Sequence, residues 1–243
     1  MQPPQSPRPQ GPKGLLRALF LGFERLIQRL GWVYAVGWAT ALGLLFLFAD
    51  LAEDVLQGEF TALNHAILNG IHSHATPWLD QLALSLSALG GILGTLLIGG
   101  AAVALLTLLR RPIDAATLII VLAGGGTLTF VLKHVFHQPR PSLFASLAPE
   151  TSYSFPSGHS LMSVCLYGYL SMLLLHWKPR TTWPAALALL LLPLGIMGSR
   201  LYLGVHWFTD VAAGALVASF WLTVCMMLRH AALRWSRKES SAD

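Results

Sequence analysis

The sequence predicts an all-α integral membrane protein: a bundle of six transmembrane helices preceded by an N-terminal amphipathic helix. Three observations carry that expectation. Hydrophobic residues make up 54% of the 243-residue chain and charged residues only 11%, where a soluble domain carries about 25% charged. The apolar residues gather into long runs nearly free of charge. The basic residues between those runs alternate in a way that sorts the connecting segments onto two sides.

The runs are Gly31 to Ala49, Leu82 to Leu109, Ala115 to Leu132, Ser160 to Trp177, Trp183 to Gly198 and Trp207 to Leu228. At about 1.5 Å per residue, roughly 20 apolar residues cross a bilayer core. Trp183 to Gly198 spans only with help from its flanks, while Leu82 to Leu109 is long enough to cross at a tilt. Backbone polar groups in lipid find no water, so each run is expected to be helical. Residues 31–228 then form a single six-helix domain.

Residues 1–13 are rich in proline and glutamine and are expected to be disordered. Residues 14–30 place Leu15, Leu16, Leu19, Phe20, Phe23, Leu26, Ile27 and Leu30 at helical spacing, with Arg17, Arg25 and Arg29 among them. This is the pattern of an amphipathic helix lying on a membrane surface. No small-residue cleavage site follows the first run, so it is expected to stay as a span. Residues 229–243 read as a basic cytoplasmic tail. Cys165 and Cys225 lie at different depths in their spans, too far apart for a disulfide, and are expected to be buried free thiols.

Net charge +5 would suit a nucleic-acid partner if it were spread over a soluble surface. Its distribution follows membrane topology instead, because cytoplasmic loops collect lysine and arginine. With the N-terminus inside and six crossings, thirteen of the sixteen basic residues fall in inside segments. The outside segments hold Asp50, Glu53, Asp54, Glu59, Asp80 and Glu150. Both termini are therefore expected in the cytoplasm, and no nucleic-acid partner is expected. Lys133, Arg140 and Arg200 break the rule. All three are outside, at or just beyond span ends, where a charge near the membrane is generally paired or functional.

These cations have companions. The third span ends in Lys133-His-Val-Phe-His-Gln-Pro-Arg140-Pro141, where Pro139 and Pro141 stop the helix. The fourth opens with Phe155-Pro156-Ser157-Gly158-His159-Ser160. The fifth closes with Gly198-Ser199-Arg200, and the sixth opens near Gly204-Val205-His206-Trp207-Phe208-Thr209-Asp210. The charge-derived topology puts all of them at one face. Together they suit phosphoryl transfer. Lys133, Arg140 and Arg200 can donate charge-assisted hydrogen bonds to non-bridging oxygens. Ser157 and Gly158 precede a helix whose positive end favours an anion. His206 and Asp210 are four apart and share a helix face, so the carboxylate can fix the imidazole tautomer and ready the other nitrogen to attack. His159 can serve as general acid for the leaving group.

Lys133-x6-Arg140-Pro141, Pro156-Ser157-Gly158-His159 and Ser199-Arg200-x5-His206-x3-Asp210 resemble the three motifs of the type 2 phosphatidic acid phosphatase (PAP2) superfamily. The resemblance implies a membrane lipid phosphatase working on a lipid phosphate substrate. It implies that His206 carries a phosphohistidine intermediate, oriented by Asp210, and that His159 protonates the leaving group. Lys133, Arg140, Ser157, Gly158 and Arg200 would hold the phosphate. It also implies no metal and no other cofactor. A bacterial inner membrane, with the site at its periplasmic or extracellular face, is the expected location.

Other residues have plainer readings. His134 and His137 flank the first motif as interfacial loop residues. His72 and His74, two apart, would face apart on a helix. Phe60, Leu63, Ile67, Leu68 and Ile71 repeat at helical spacing and suggest a short interfacial helix near the site. The glycines at 90, 91, 94, 99, 100 and 124–126 read as helix-packing positions. A phosphotransferase would use the same residues. A lipid transporter would place its cations nearer the midplane, and a serine protease built on Ser157 would leave the cations without purpose.

Overall fold

Proline and glycine punctuate the chain. Helices open on Pro77, Pro112 and Pro179, whose missing N–H is no loss in a first turn. In the computed structural model, which describes Leu16, Leu21 and residues 31–239, the helices are α1 (Trp32–Gln57), α2 (Thr61–His72), α3 (Pro77–Gly90), α4 (Ile92–Leu108), α5 (Pro112–Phe136), α6 (Gly158–Trp177), α7 (Pro179–Tyr202) and α8 (Phe208–Glu239). No strand is assigned among the described residues. Leu16 and Leu21 are both helical; the rest of the expected amphipathic helix at 14–30, and the expected disordered tail at 1–13, lie outside the described residues. Contacts divide the chain into Met1–Ala39 and Thr40–Asp243, and every residue of the candidate site belongs to the second unit.

Among the described residues, five helices are long and apolar enough to cross a membrane: α1, α5, α6, α7 and α8. The apolar run from Leu82 to Leu109 does not form the single tilted helix its length suggests. It is broken into α3 and α4, which meet at 53° and make a sixth span only if the bent pair counts as one. The cause is local. Gly91 is extended, at φ −72° and ψ 171°, and begins α4. The fold back is so tight that a Cβ on Gly94 would lie 2.2 Å from the Ala88 carbonyl oxygen, which only glycine tolerates. α7 resolves the shortness of its apolar run by recruiting both flanks, and continues through Pro184 and Pro193.

The centre of the bundle is α6, which packs against α7, α8, α5, α3 and α4. Its inward face includes Leu161, Cys165, Leu166, Tyr169 and Leu173, all buried. Cys165 and Cys225 are free and buried. With no water to expel between helices in lipid, association rests on close packing and interhelical hydrogen bonds, each worth roughly 0.6–2 kcal/mol. Ser171 Oγ donates to the Ala186 carbonyl at 2.8 Å, Tyr167 Oη to Leu89 O at 2.9 Å, and Trp221 Nε1 to Val121 O at 3.1 Å.

At the end of the bundle remote from the candidate site, Asp114 of α5 accepts from Arg229 Nε of α8 at 2.7 Å, and both are buried. Tyr169 Oη donates to the Asp114 carbonyl at 2.9 Å, and the Arg111 guanidinium lies 4.5 Å above the Trp177 ring. α8 carries Arg229 and runs on to Glu239, into the segment read as a basic cytoplasmic tail. Removing one member of such a pair strands a buried charge, which costs about 3–5 kcal/mol, whereas an apolar replacement of both is much milder. Arg229→Met should therefore lower the thermal unfolding midpoint in detergent markedly, and Asp114→Leu with Arg229→Met should recover most of the loss. A double variant no more stable than the single one would show that the pair does not pin α5 to α8.

Candidate active site

α5 ends at Phe136, where His137 takes a left-handed conformation (φ 49°). Residues 137–157 then cross to α6 without regular secondary structure. An ordered loop of that length is uncommon unless it has a task. Here it feeds acceptors to the cations. Lys133 Nζ, at the end of α5, donates to Ser152 Oγ at 3.0 Å and to the Tyr153 carbonyl. Arg140 spends nearly every donor it has. Its Nε donates to Ser152 O at 2.7 Å and its Nη1 to Val205 O at 2.7 Å. Its Nη2 donates to Glu150 Oε2 at 2.6 Å.

Arg200, in the last turn of α7, is 1% exposed. Its Nη1 donates to Ser87 Oγ of α3 and its Nη2 to Glu150 Oε1. Its Nε is buried and has no partner among the described residues. His159 follows the Ser157 cap at the start of α6, with Nδ1 3.8 Å from Glu150 Oε1. The break between α3 and α4 backs onto the same ring: a Cβ on Gly91 would lie 3.4 Å from His159 Nε2.

His206 sits in the turn before α8 and is fully buried, as is Asp210. Asp210 is the third residue of α8, and its Oδ2 accepts from the Trp207 N–H at 2.7 Å, the backward half of a capping box. The same oxygen accepts from Ser154 Oγ and lies 3.3 Å from His206 Nδ1. On the far side of the ring, Arg140 Nη1 is 3.3 Å from His206 Nε2. A guanidinium only donates, so Nε2 is the acceptor nitrogen and the ring proton belongs on Nδ1, facing Asp210. Burial, with Arg140 and Arg200 close by, holds this imidazole well below its ordinary range. It is neutral, with a lone pair facing the cations.

Ser157 and Gly158 form the junction between the loop and α6. Ser157 is buried; its N–H donates to the Asp210 carbonyl at 2.9 Å and its Oγ accepts from Ser160 N at 3.4 Å. It therefore ties α6 to α8, and its hydroxyl is used as a helix cap. Gly214 makes that junction possible, since a Cβ there would lie 2.6 Å from Ser157 O. From α2, Asn64 Nδ2 donates to Thr209 Oγ1 at 3.1 Å and Asn64 Oδ1 accepts from Thr209 N at 3.3 Å. Trp207 Nε1 donates to Pro139 O at 3.1 Å, and its ring is stacked by His65. His72 stacks on Phe144, while His134 and His137 pack near Tyr153.

Glu150, Ser154, Ser152 and Ser87 complete the arrangement and were not singled out by sequence reasoning as members of the site. One signal existed for Glu150: it is the sole carboxylate between His137 and Ser157. Burial pushes its carboxyl up, but Arg200 and Arg140 outweigh that and hold it below the usual carboxylate range. The serines carried no signal, because their role depends on the path of an irregular loop.

A neutral imidazole with one nitrogen oriented and the other turned toward guanidiniums is equipment for an ester of phosphate. Mounted at one end of membrane-length helices, it defines an integral membrane phosphatase. Residues 114–234 match the model of the PAP2 superfamily, and the chain belongs to that superfamily, whose phosphatases are hydrolases of phosphate esters. It is 29% identical over 181 residues to phosphatidylglycerophosphatase B of Bacillus subtilis, covering 71% of this chain and 86% of that protein. It is 37% identical over 109 residues to the undecaprenyl-diphosphatase of Sulfolobus acidocaldarius, covering 43% of this chain and 50% of that one. The crystal structure of a transmembrane PAP2-type phosphatidylglycerolphosphate phosphatase from Bacillus subtilis superposes with a TM-score of 0.69 at 25% identity, over 79% of this chain and 96% of that one.

Ser154 gives a test of the geometry. Deleting a hydrogen bond to a charged group costs about 1.5–3 kcal/mol, or roughly tenfold to a hundredfold in rate. Ser154→Ala should lower kcat on a phosphate ester by that factor and leave KM nearly unchanged. A kcat within twofold of the parent would show that Asp210 holds the imidazole without the serine's help.

Proposed function

We propose that this chain hydrolyses a lipid phosphate or diphosphate, of the phosphatidylglycerol phosphate, phosphatidic acid or polyprenyl diphosphate class, through a phosphohistidine on His206 and without a metal. The observation that carries the reading is the hydrogen bond from Arg140 to His206 Nε2 at 3.3 Å, which marks that nitrogen as the unprotonated one. The names of the Bacillus and Sulfolobus relatives point to the same substrate classes.

The chemistry runs in two displacements. His206 Nε2 gives its lone pair to phosphorus as the bond from phosphorus to the lipid oxygen breaks. The leaving oxygen takes its proton from His159. Asp210 and Ser154 keep the Nδ1 proton in place and stabilise the charge that develops on the ring. Water then attacks phosphorus, His159 receives the water's proton, and the P–N bond breaks to release inorganic phosphate and restore His206. Lys133, Arg140 and Arg200 hold the phosphate oxygens throughout, together with Ser157 and Gly158 at the start of α6, which also set the turn that presents His159. The excess of basic residues on the other side supports a bacterial inner membrane location, both termini cytoplasmic and the site at the periplasmic or extracellular face. Residues 31–228 serve as the phosphatase domain.

Detergent-purified protein should release phosphate from at least one of these lipids in the presence of a chelator, and His206→Ala should release none. Alkali-quenched protein mixed with labelled lipid should carry label on His206, and that label should be lost on brief treatment with acid. Undiminished release by His206→Ala would refute the mechanism. Label recovered on an acceptor lipid, instead of in solution, would make the enzyme a phosphotransferase using the same site.

A further inference from the structure

Glu150 stands where the groups assigned to the phosphate meet. Its Oε2 accepts from Arg140 at 2.6 Å, and its Oε1 accepts from Arg200 while lying 3.8 Å from His159 Nδ1. It thus offers one oxygen to each guanidinium, as a phosphate on the reading above would, and places one of them beside the histidine expected to protonate the leaving group. It does so from an irregular loop and is 27% exposed, unlike the buried Asp210. The same loop satisfies Lys133, but with neutral partners only, Ser152 Oγ and the Tyr153 carbonyl. The carboxylate and a phosphate cannot share both guanidiniums, since like charges a few ångströms apart in a poorly solvated site repel strongly.

We infer that Glu150 is an internal competitor for the phosphate site. It neutralises Arg140 and Arg200 between turnovers, is displaced by a bound phosphate ester, and returns to help expel inorganic phosphate. Three features make the exchange work. A phosphate dianion brings more charge and one more oxygen than a carboxylate, so it can also draw on Lys133, whose present partners are neutral. The lipid substrate adds the binding energy of its tail, which offsets the competition. Inorganic phosphate has lost that tail, so the competition falls chiefly on the product. The loop carboxylate is thereby a discriminator between substrate and product. This rests on the function proposed above.

The test is product inhibition by inorganic phosphate, with Glu150→Gln beside the parent protein. Removing a charge-assisted competitor should lower the Ki for phosphate by about tenfold or more, lower KM for the lipid by a smaller factor, and lower kcat as release slows. Glu150→Asp, one methylene too short to bridge both guanidiniums, should shift Ki in the same direction by less, and it decides the matter if the glutamine variant does not fold. If either variant proves inactive, calorimetric titration with inorganic phosphate should still show tighter binding than in the parent. An unchanged or raised Ki, with KM raised, would make Glu150 a plain structural clamp and overturn the inference. If the parent neither binds inorganic phosphate nor cleaves any lipid phosphate, the functional reading fails first and the inference with it. Cleavage without a lowered Ki in the variants overturns the inference alone.

Discussion

Three cations brought together at the end of a helical bundle repel one another and have lost much of their water. That cost is met only if oxygens are fixed around them. Much of the site end of this protein follows from that requirement. Residues 137–157 wind through an irregular path because the acceptors must come from carbonyls and short side chains that a helix would bury in its own ladder. Ser152 and Tyr153 serve Lys133 and Arg140 together, and Glu150 supplies the charge.

The helices are bent and joined around the same point. α3 breaks from α4 beside His159, bringing Ser87 to Arg200. α6 begins on Ser157, which is tied by its N–H to the Asp210 carbonyl, so the general-acid candidate and the nucleophile candidate are set by adjoining helix ends. Asp210 closes the first turn of α8 through Trp207 while facing His206. Local helix capping and ring orientation therefore use one carboxylate oxygen. A helix end is a precise mount because its dihedrals are fixed by the ladder behind it.

Much of this was legible in the residue order. Five crossing helices lie where apolar runs lie, because lipid leaves a backbone few options. Lys133, Arg140, His159, Arg200, His206 and Asp210 converge, as their shared placement at span ends implied. The break at Gly91 was not legible: a glycine-rich stretch reads equally as close packing or as a bend, and only the extended backbone of Gly91 and the close approach of Gly94 to the Ala88 carbonyl decide it. Ser157, read as a phosphate ligand, also joins α6 to α8 through its N–H, a task no motif announces. Arg229 looked like tail charge, because its partner Asp114 is 115 residues away. Glu150 looked like topological charge on the acidic side. Its pairing with Arg140 and Arg200 depends on how an irregular loop folds, which no periodicity encodes.

If the three cations, His159 and His206 Nε2 surround one phosphorus position, a phosphate-like oxyanion should seat among them. A structure of the protein with bound orthovanadate measures it directly, since vanadium in a five-coordinate state imitates the phosphoryl transition state. Vanadium should be bonded to His206 Nε2, with equatorial oxygens on Lys133, Arg140 and Arg200, the apical oxygen at His159, and the Glu150 carboxylate swung away from both arginines. Vanadate bound elsewhere, or seated with Glu150 still bridging Arg140 and Arg200, would contradict it.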